Sequence, residues 1–410
     1  MSDASVMPSD EHHYRRAFSD VTIWAACAFA AFLGFSRLSY GLLLPAIRAT
    51  FPTSYGAIGL VGSANLGGYL LGTLLLPFIA ARVPSRLWLN TGALLAMNAG
   101  MVAAALSANL LQLALWRGII GVASAWVAIL TLALTLGEVA PAQRGQAAGI
   151  IWAGGALGLI ISGMIAPVVI GAPSPLGWRV VWLGMGLVGC VAAVGLHRTL
   201  RRGTIPPPPR ATGALRLGVL ALGRPAGMLL LPLAYLLFGV GHIIYFTYFI
   251  ALIVQAGVPG TGVGVVWALI GVAGCVGGLL WGRALDRWPT GYTLALALGL
   301  GALGAATVAL GTIVGAALGA AMMGAAFIGT PALFTGMLRR TVAPNLYTDS
   351  LSLLTAAVAL GQAVAPVVGG VLIDKVGLQT GTALAALPLA LGGVLAAGFG
   401  WWRARAAMRA

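Results

Sequence analysis

Two arginines and one histidine stand where charge is expensive. Arg37, Arg117 and His242 each fall inside a long apolar run. A charged side chain at bilayer depth is rare and marks function by default. The chain's eight acids are Asp3, Asp10, Glu11, Asp20, Glu138, Asp286, Asp349 and Asp374. All fall in the N-terminal tail, between apolar runs or at their ends, so no carboxylate answers the two cations. An unpaired buried arginine is unfavourable and has to find an anion or water. The planar guanidinium fork suits a carboxylate held by two parallel bonds. The expected chemistry is therefore recognition of a small organic anion by Arg37 and Arg117. A structural role for Arg117 stands beside it, with hydrogen bonds to carbonyls of the first run or to Asn and Gln side chains. His242 has the side chain that ordinarily titrates near neutral pH, which suits a proton relay. The competing reading is a histidine held by a helix-packing hydrogen bond.

Further side chains could face the same space: Tyr40, Asn65, Trp116, Trp126, Trp152, Tyr245, Tyr248, Trp267, Phe327, Phe334 and Gln362. Buried Tyr and Trp seek a polar partner, yet both also anchor helices at the membrane interface. As a set they suggest a ligand with an apolar body and an anionic end. Nucleophile–base pairs, metal-ligand clusters and Walker sequences are absent, so no enzyme activity, ATP-driven step, metal or other cofactor is expected. Runs of the GxGxxG kind lack a strand context and do not indicate nucleotide binding. Cys27, Cys190 and Cys275 lie in apolar runs and read as small hydrophobes.

The elements that must position these groups are membrane spans. Sixty per cent of the 410 residues are hydrophobic, only 8% are charged, and mean hydropathy is +0.99. A soluble domain carries about 25% charged residues. A span needs about 20 mostly apolar residues. Twelve such runs are present: 21–46, 55–80, 86–107, 109–137, 144–170, 177–198, 225–256, 260–284, 290–311, 313–338, 348–373 and 378–402. Joins near Asn109 and Thr312 contain almost no polar sequence. A membrane barrel would need shorter, alternating runs, so the expected class is all-α. The first run is too long for a signal-peptide core, which spans about 7–15 residues, and is expected to stay as a span.

The net charge of +15 does not point to nucleic acid, because the basic residues sit in short clusters between runs. With a cytoplasmic N-terminus, 18 of the 23 basic residues face the cytoplasm and three, Arg48, Arg179 and Lys375, face outward. That is the positive-inside pattern. Both termini are thus expected in the cytoplasm, with the chain in a bacterial cytoplasmic (inner) membrane. The expected organisation is a tail (1–20), a six-helix bundle (21–198), a linker (199–224), a second six-helix bundle (225–402) and a C-terminal tail (403–410). The linker carries Pro206 to Pro209 and reads as a stiff, extended spacer.

The two halves are related by a shift of 205 residues. Gly34, Arg37 and Tyr40 then fall on Gly239, His242 and Tyr245. Gly59 and Gly72 fall on Gly264 and Gly277, Arg82 on Arg287, and Pro84 on Pro289. Parallel repeats of this kind alternate access to a midplane site in transporters. With the first run centred near Leu33 and the fourth near Gly121, Arg37 and Arg117 both lie about 6 Å outside the midplane, at 1.5 Å per residue. Runs such as 154–158, GGALG, let helices approach closely.

These residues carry a resemblance. Segment 278–289, GLLWGRALDRWP, resembles the loop signature of the major facilitator superfamily, with Gly282, Asp286 and Arg287 at its core. Its first-half copy at 81–84, ARVP, has Ala81 where an aspartate is expected, so the two halves cannot form the same acid–arginine latch. Trp116-Arg117-Gly118 through Gly121 resembles the family's fourth-helix motif. Gly361-Gln362 to Pro366, Gly369-Gly370 and Asp374 resemble its eleventh-helix signature. Segment 34–45, GFSRLSYGLLLP, is similar to the poorly characterised YbfB-type branch, which implies no substrate.

The resemblance implies a twelve-helix secondary transporter, usually monomeric, with the first and fourth helices lining a central cavity. Arg37, Arg117, Tyr40, Asn65, His242, Tyr245, Trp116, Phe327, Phe334 and Gln362 are then candidates for the substrate site. Arg82, Asp286, Arg287 and Gly282 are candidates for a conformational gate. The leading expectation is transport of an organic anion by proton symport or exchange. Export of lipophilic drugs or metabolites is the alternative, weakened by the lack of an embedded acid for a lipophilic cation. A non-transporting receptor is a third class. The expected partners are a small molecule, the lipid bilayer and protons, with no nucleic acid.

Overall fold

A computed structural model describes residues 20–171, 176–202, 226–343 and 346–409. The N-terminal tail and most of the proline-bearing linker lie outside the described residues. The described chain contains twelve helices long and apolar enough to cross a membrane. They are α1 (Asp20–Thr50), α2 (Tyr55–Arg82), α3 (Arg86–Ala105), α4 (Leu110–Gly137), α5 (Arg144–Ile170) and α6 (Gly177–Leu200). The second set is α7 (Gly227–Gln255), α8 (Gly260–Arg287), α9 (Gly291–Leu310), α10 (Ile313–Arg339), α11 (Ser350–Val376) and α12 (Leu378–Ala406). Their outer surfaces carry large exposed hydrophobes such as Leu111, Val168, Leu296 and Val394, as a lipid-facing belt requires.

Both joins that lack polar sequence are set by helix caps. Asn109 Oδ1 accepts from Gln112 N–H at 2.9 Å and starts α4. Thr312 Oγ1 accepts from Gly315 N–H at 3.0 Å and starts α10. Just before it, Gly311 takes a left-handed φ of 62°, which only glycine adopts freely. These caps satisfy orphan N–H groups at the helix starts.

We call the face where α1 begins and α12 ends proximal, and the opposite face distal. The most extensive contacts between the first six helices and the last six are α1 with α7, α2 with α11, and α5 with α8. Their closest approaches fall toward the distal ends. Gly41 of α1 lies against the Phe246 carbonyl of α7, so a Cβ there has no room. Gly59 of α2 likewise lies against the Pro366 carbonyl of α11. Distal closure therefore depends on small residues meeting backbone, the packing that membrane helices use in place of hydrophobic drive. The 205-residue repeat is visible in the contacts as well. Gly34 seats α1 on Gly158 of α5, and Gly239 seats α7 on Val358 of α11.

One backbone feature has no trace in the hydropathy pattern. Ala30–Leu38 of α1 is a π-helical segment, and Ser39 N–H reaches back five residues to the Gly34 carbonyl. π segments recur at functional sites, and this one contains Arg37.

Candidate functional site

Arg37 leaves the π segment and points across the interface between the halves. It is half-buried. Its Nη2 donates to Gln362 Oε1 on α11, and its guanidinium carbon lies 4.5 Å from the ring centre of Tyr69 on α2. A guanidinium only donates, so the amide atom facing Arg37 is the oxygen. The amide nitrogen then faces His242 on α7, 3.2 Å from Nε2. Nε2 accepts that bond, so Nδ1 carries the hydrogen and donates to the Phe238 carbonyl. The network assigns His242 as the neutral Nδ1–H tautomer. Arg37 and His242, equivalent in the repeat, thus meet through one glutamine.

The walls around this chain are aromatic. His242 is fully buried. Its ring centre lies 4.3 Å from that of Phe238, 5.3 Å from Phe327 and 6.3 Å from Phe246. Tyr235 stacks on Phe334 at 4.2 Å. Phe327 therefore lies in the site, and Phe334 backs it through Tyr235.

Arg117 is placed differently. It is only 2% exposed. Its Nη1 donates to the Ser36 carbonyl at 2.5 Å. Its guanidinium lies over Tyr40 at 4.7 Å and Trp182 at 5.7 Å, while its Nε has no partner among the described residues. Tyr40 in turn donates to the Ile58 carbonyl at 2.5 Å. Asn65 donates to the Arg117 carbonyl at 3.0 Å and ties α2 to α4. These contacts are those of the structural reading of Arg117. A cavity of about 20 Å³ between the halves is lined by both arginines, Tyr40, Gly62, Phe246 and Pro366. That is room for about one water, so the distal side of the site is shut.

Other candidates are not brought to Arg37. Tyr245 is fully buried and stacks on Phe249 at 4.5 Å, its hydroxyl near Gly319 of α10. Trp116 is half-buried against the core of the first half. Trp126 donates to the Gly72 carbonyl at 2.8 Å, Trp152 packs edge-on against Phe29, and Trp267 donates to Ser162 Oγ at 3.3 Å. The contacts of the gate candidates stay within their own halves. Asp286 pairs with Arg340 at 3.3 Å on an exposed surface, and Arg287 lies beside Trp288. Arg82 donates to the Phe78 carbonyl of its own helix, and Gly282 has open space beside it. No cluster of metal-binding side chains occurs among the described residues.

Tyr69, Tyr235, Phe238 and Ser36 were not singled out from the sequence. The spacing held a signal for some of them. Tyr69 follows Asn65 by four residues, and Phe238 precedes His242 by four, so each shares a helix face with a candidate already named.

A family model described as the uncharacterised MFS-type transporter YbfB matches residues 29–397. The chain is 28% identical over 369 residues to the "Transcription regulatory protein OpdE" of Pseudomonas aeruginosa, covering 88% of this chain and 89% of that protein. Among solved structures, a bacterial homolog of the human lysosomal transporter Spinster, inward-facing and unoccupied, superposes with a TM-score of 0.72 at 15% identity. The match covers 94% of this chain and 98% of that one. The nucleoside transporter NupG matches with a TM-score of 0.73 at 14% identity, over 93% and 99% of the two chains. At these identities the structural matches establish the fold alone.

Proposed function

We propose that this chain, which belongs to the family of YbfB-type MFS transporters, carries a small organic anion across the membrane by alternating access and couples it to protons. Secondary transport comes with the family; the substrate class and the coupling are our reading. The observation that carries it is Arg37, a half-buried cation between the halves whose partners are a neutral amide and a tyrosine ring. A carboxylate offers that fork two charged acceptors. The aromatic walls suit an apolar body attached to it.

Gln362 supplies the coupling. Its oxygen faces Arg37 while its NH2 faces neutral His242. A proton on Nε2 turns that nitrogen into a donor facing donors. Rotation of the amide restores the bond to His242 and turns NH2 toward the guanidinium, which then needs a new acceptor. A carboxylate fills that need. Proton and anion therefore favour each other, which is the thermodynamic requirement for symport. With the arginine-rich proximal face toward the cytoplasm, the distally closed form is shut on its outer side.

The test is a thermal-shift screen of purified protein against small carboxylates and lipophilic cations, followed by flux into vesicles. Stabilisation by carboxylates and pH-dependent flux support the reading. Stabilisation by lipophilic cations alone moves the assignment to an exporter of lipophilic compounds. A second reading comes from the relative bearing the name of a transcription regulatory protein: this chain binds its ligand as a sensor. Tight binding without flux would favour it.

A further inference from the structure

We infer that Asp374 is the latch that holds the distal face shut. The inference rests on the alternating-access reading above and adds the residue that sets one side of it. The first turn of α2 has four N–H groups without partners inside the helix. One is satisfied from within the first half, Ala57 N–H by Ser54 Oγ at 3.1 Å. Two more are satisfied by the second half. Tyr55 N–H donates to Asp374 Oδ1 and Gly56 N–H to Asp374 Oδ2, each at 2.8 Å. One carboxylate at the end of α11 thus completes the cap of a helix in the opposite half. Its charge is also the sign that a helix N-terminus favours.

The surroundings fix the same junction. The Tyr248 hydroxyl of α7 lies 3.3 Å from the Tyr55 carbonyl and also bonds the Pro366 carbonyl. Both ends of the Tyr55 residue are therefore held from the second half. Arg48 stacks over the Tyr55 ring at 4.0 Å and donates to the Thr53 carbonyl at 2.9 Å, stiffening the α1–α2 turn. Among the described residues, the repeat-related junction has no such device. There α5 meets α8 through Pro167 and Gly260, and the position equivalent to Asp374 is Val169. The Asp286–Arg340 ion pair lies inside the second half. The polar latch is one-sided: of the two repeat-related junctions at the distal face, the one between α2 and α11 carries it and breaks when that face opens.

The test is pulsed electron paramagnetic resonance in proteoliposomes, on a background with Cys27, Cys190 and Cys275 replaced by alanine. Spin labels at Leu106 and Leu310 report the distal face, and labels at Ala81 and Arg283 report the proximal face. Asp374→Asn keeps one acceptor and loses one hydrogen bond to a charged oxygen, so it is expected to raise the ratio of distally open to distally closed molecules about tenfold. A reciprocal shortening should appear at the proximal pair, which local damage would not produce. Asp374→Glu should retain most of the closed population. Gly59→Leu serves as the control, because its side chain wedges α2 off the Pro366 carbonyl. If Gly59→Leu shifts both pairs and Asp374→Asn shifts neither, Asp374 is not the latch, although alternating access stands. If neither substitution moves either pair, the alternating-access reading fails and the latch fails with it.

Discussion

Replacing Gln362 with methionine tests the coupling directly, because it moves two measurable quantities in opposite directions. Methionine keeps the length of the side chain and removes both ends of the amide. His242 Nε2 then loses its partner in a fully buried setting. A buried acceptor left without a donor costs about 1–3 kcal/mol, so the unliganded variant should melt below wild type. Arg37 loses the acceptor that competes with the anion. A hydrogen bond to a charged group contributes about 1.5–3 kcal/mol, and water returns part of that to the freed guanidinium. The remainder, about 1.4 kcal/mol, is a tenfold gain in carboxylate affinity. Titration calorimetry with benzoate or lactate at two pH values reads this out. The expected result is tighter binding, a lower melting temperature, and a dissociation constant that no longer changes with pH. If affinity falls together with stability, Gln362 does not compete for Arg37 and the amide-rotation argument is refuted.

Two further outcomes follow from the same contacts. His242→Gln removes the titrating ring, so flux of any substrate found should become independent of pH where wild type depends on it; an unaltered pH profile would eliminate His242 as the coupling group. Arg117→Met removes the bond to the Ser36 carbonyl and the stacking on Tyr40, so stability should fall by about 1–3 kcal/mol while carboxylate affinity, read by calorimetry, stays at the wild-type value. A lost affinity with unchanged melting would instead make Arg117 a substrate ligand.

The twelve spans were legible because lipid imposes a simple demand: about 20 apolar residues per crossing, with backbone polar groups satisfied inside each helix. The runs were divided near Asn109 and Thr312 with almost no polar sequence to mark the joins, and the breaks fall there, because the punctuation is chemical. An Asn and a Thr side chain cap the new helices, and Gly311 turns the chain between them. The pairing of Arg37 with His242 was visible as a repeat offset, but the glutamine that joins them belongs to a helix more than 100 residues away in sequence. The π segment carrying Arg37 is a change in backbone hydrogen-bond register, which leaves the order of apolar residues unaltered. Arg117 is where sequence reasoning left two roles standing. Only the fold shows its guanidinium turned onto the Ser36 carbonyl rather than toward an open cavity. Gate residues were sought at the loop signature; the contact of Asp374 with the first turn of α2, at the far end of α11, had no signal in the sequence.

Binding to Arg37 is the centre of this account, and one comparison tests it most directly. Purified wild type and Arg37→Ala are melted with and without small carboxylates. A ligand that binds only the folded state stabilises it by mass action, by about 2.7 kcal/mol at one hundred times its dissociation constant. The account predicts a raised melting temperature for wild type with at least one carboxylate and no response from Arg37→Ala. An equal response from the two proteins would contradict it, because the anion would then be bound somewhere other than at Arg37.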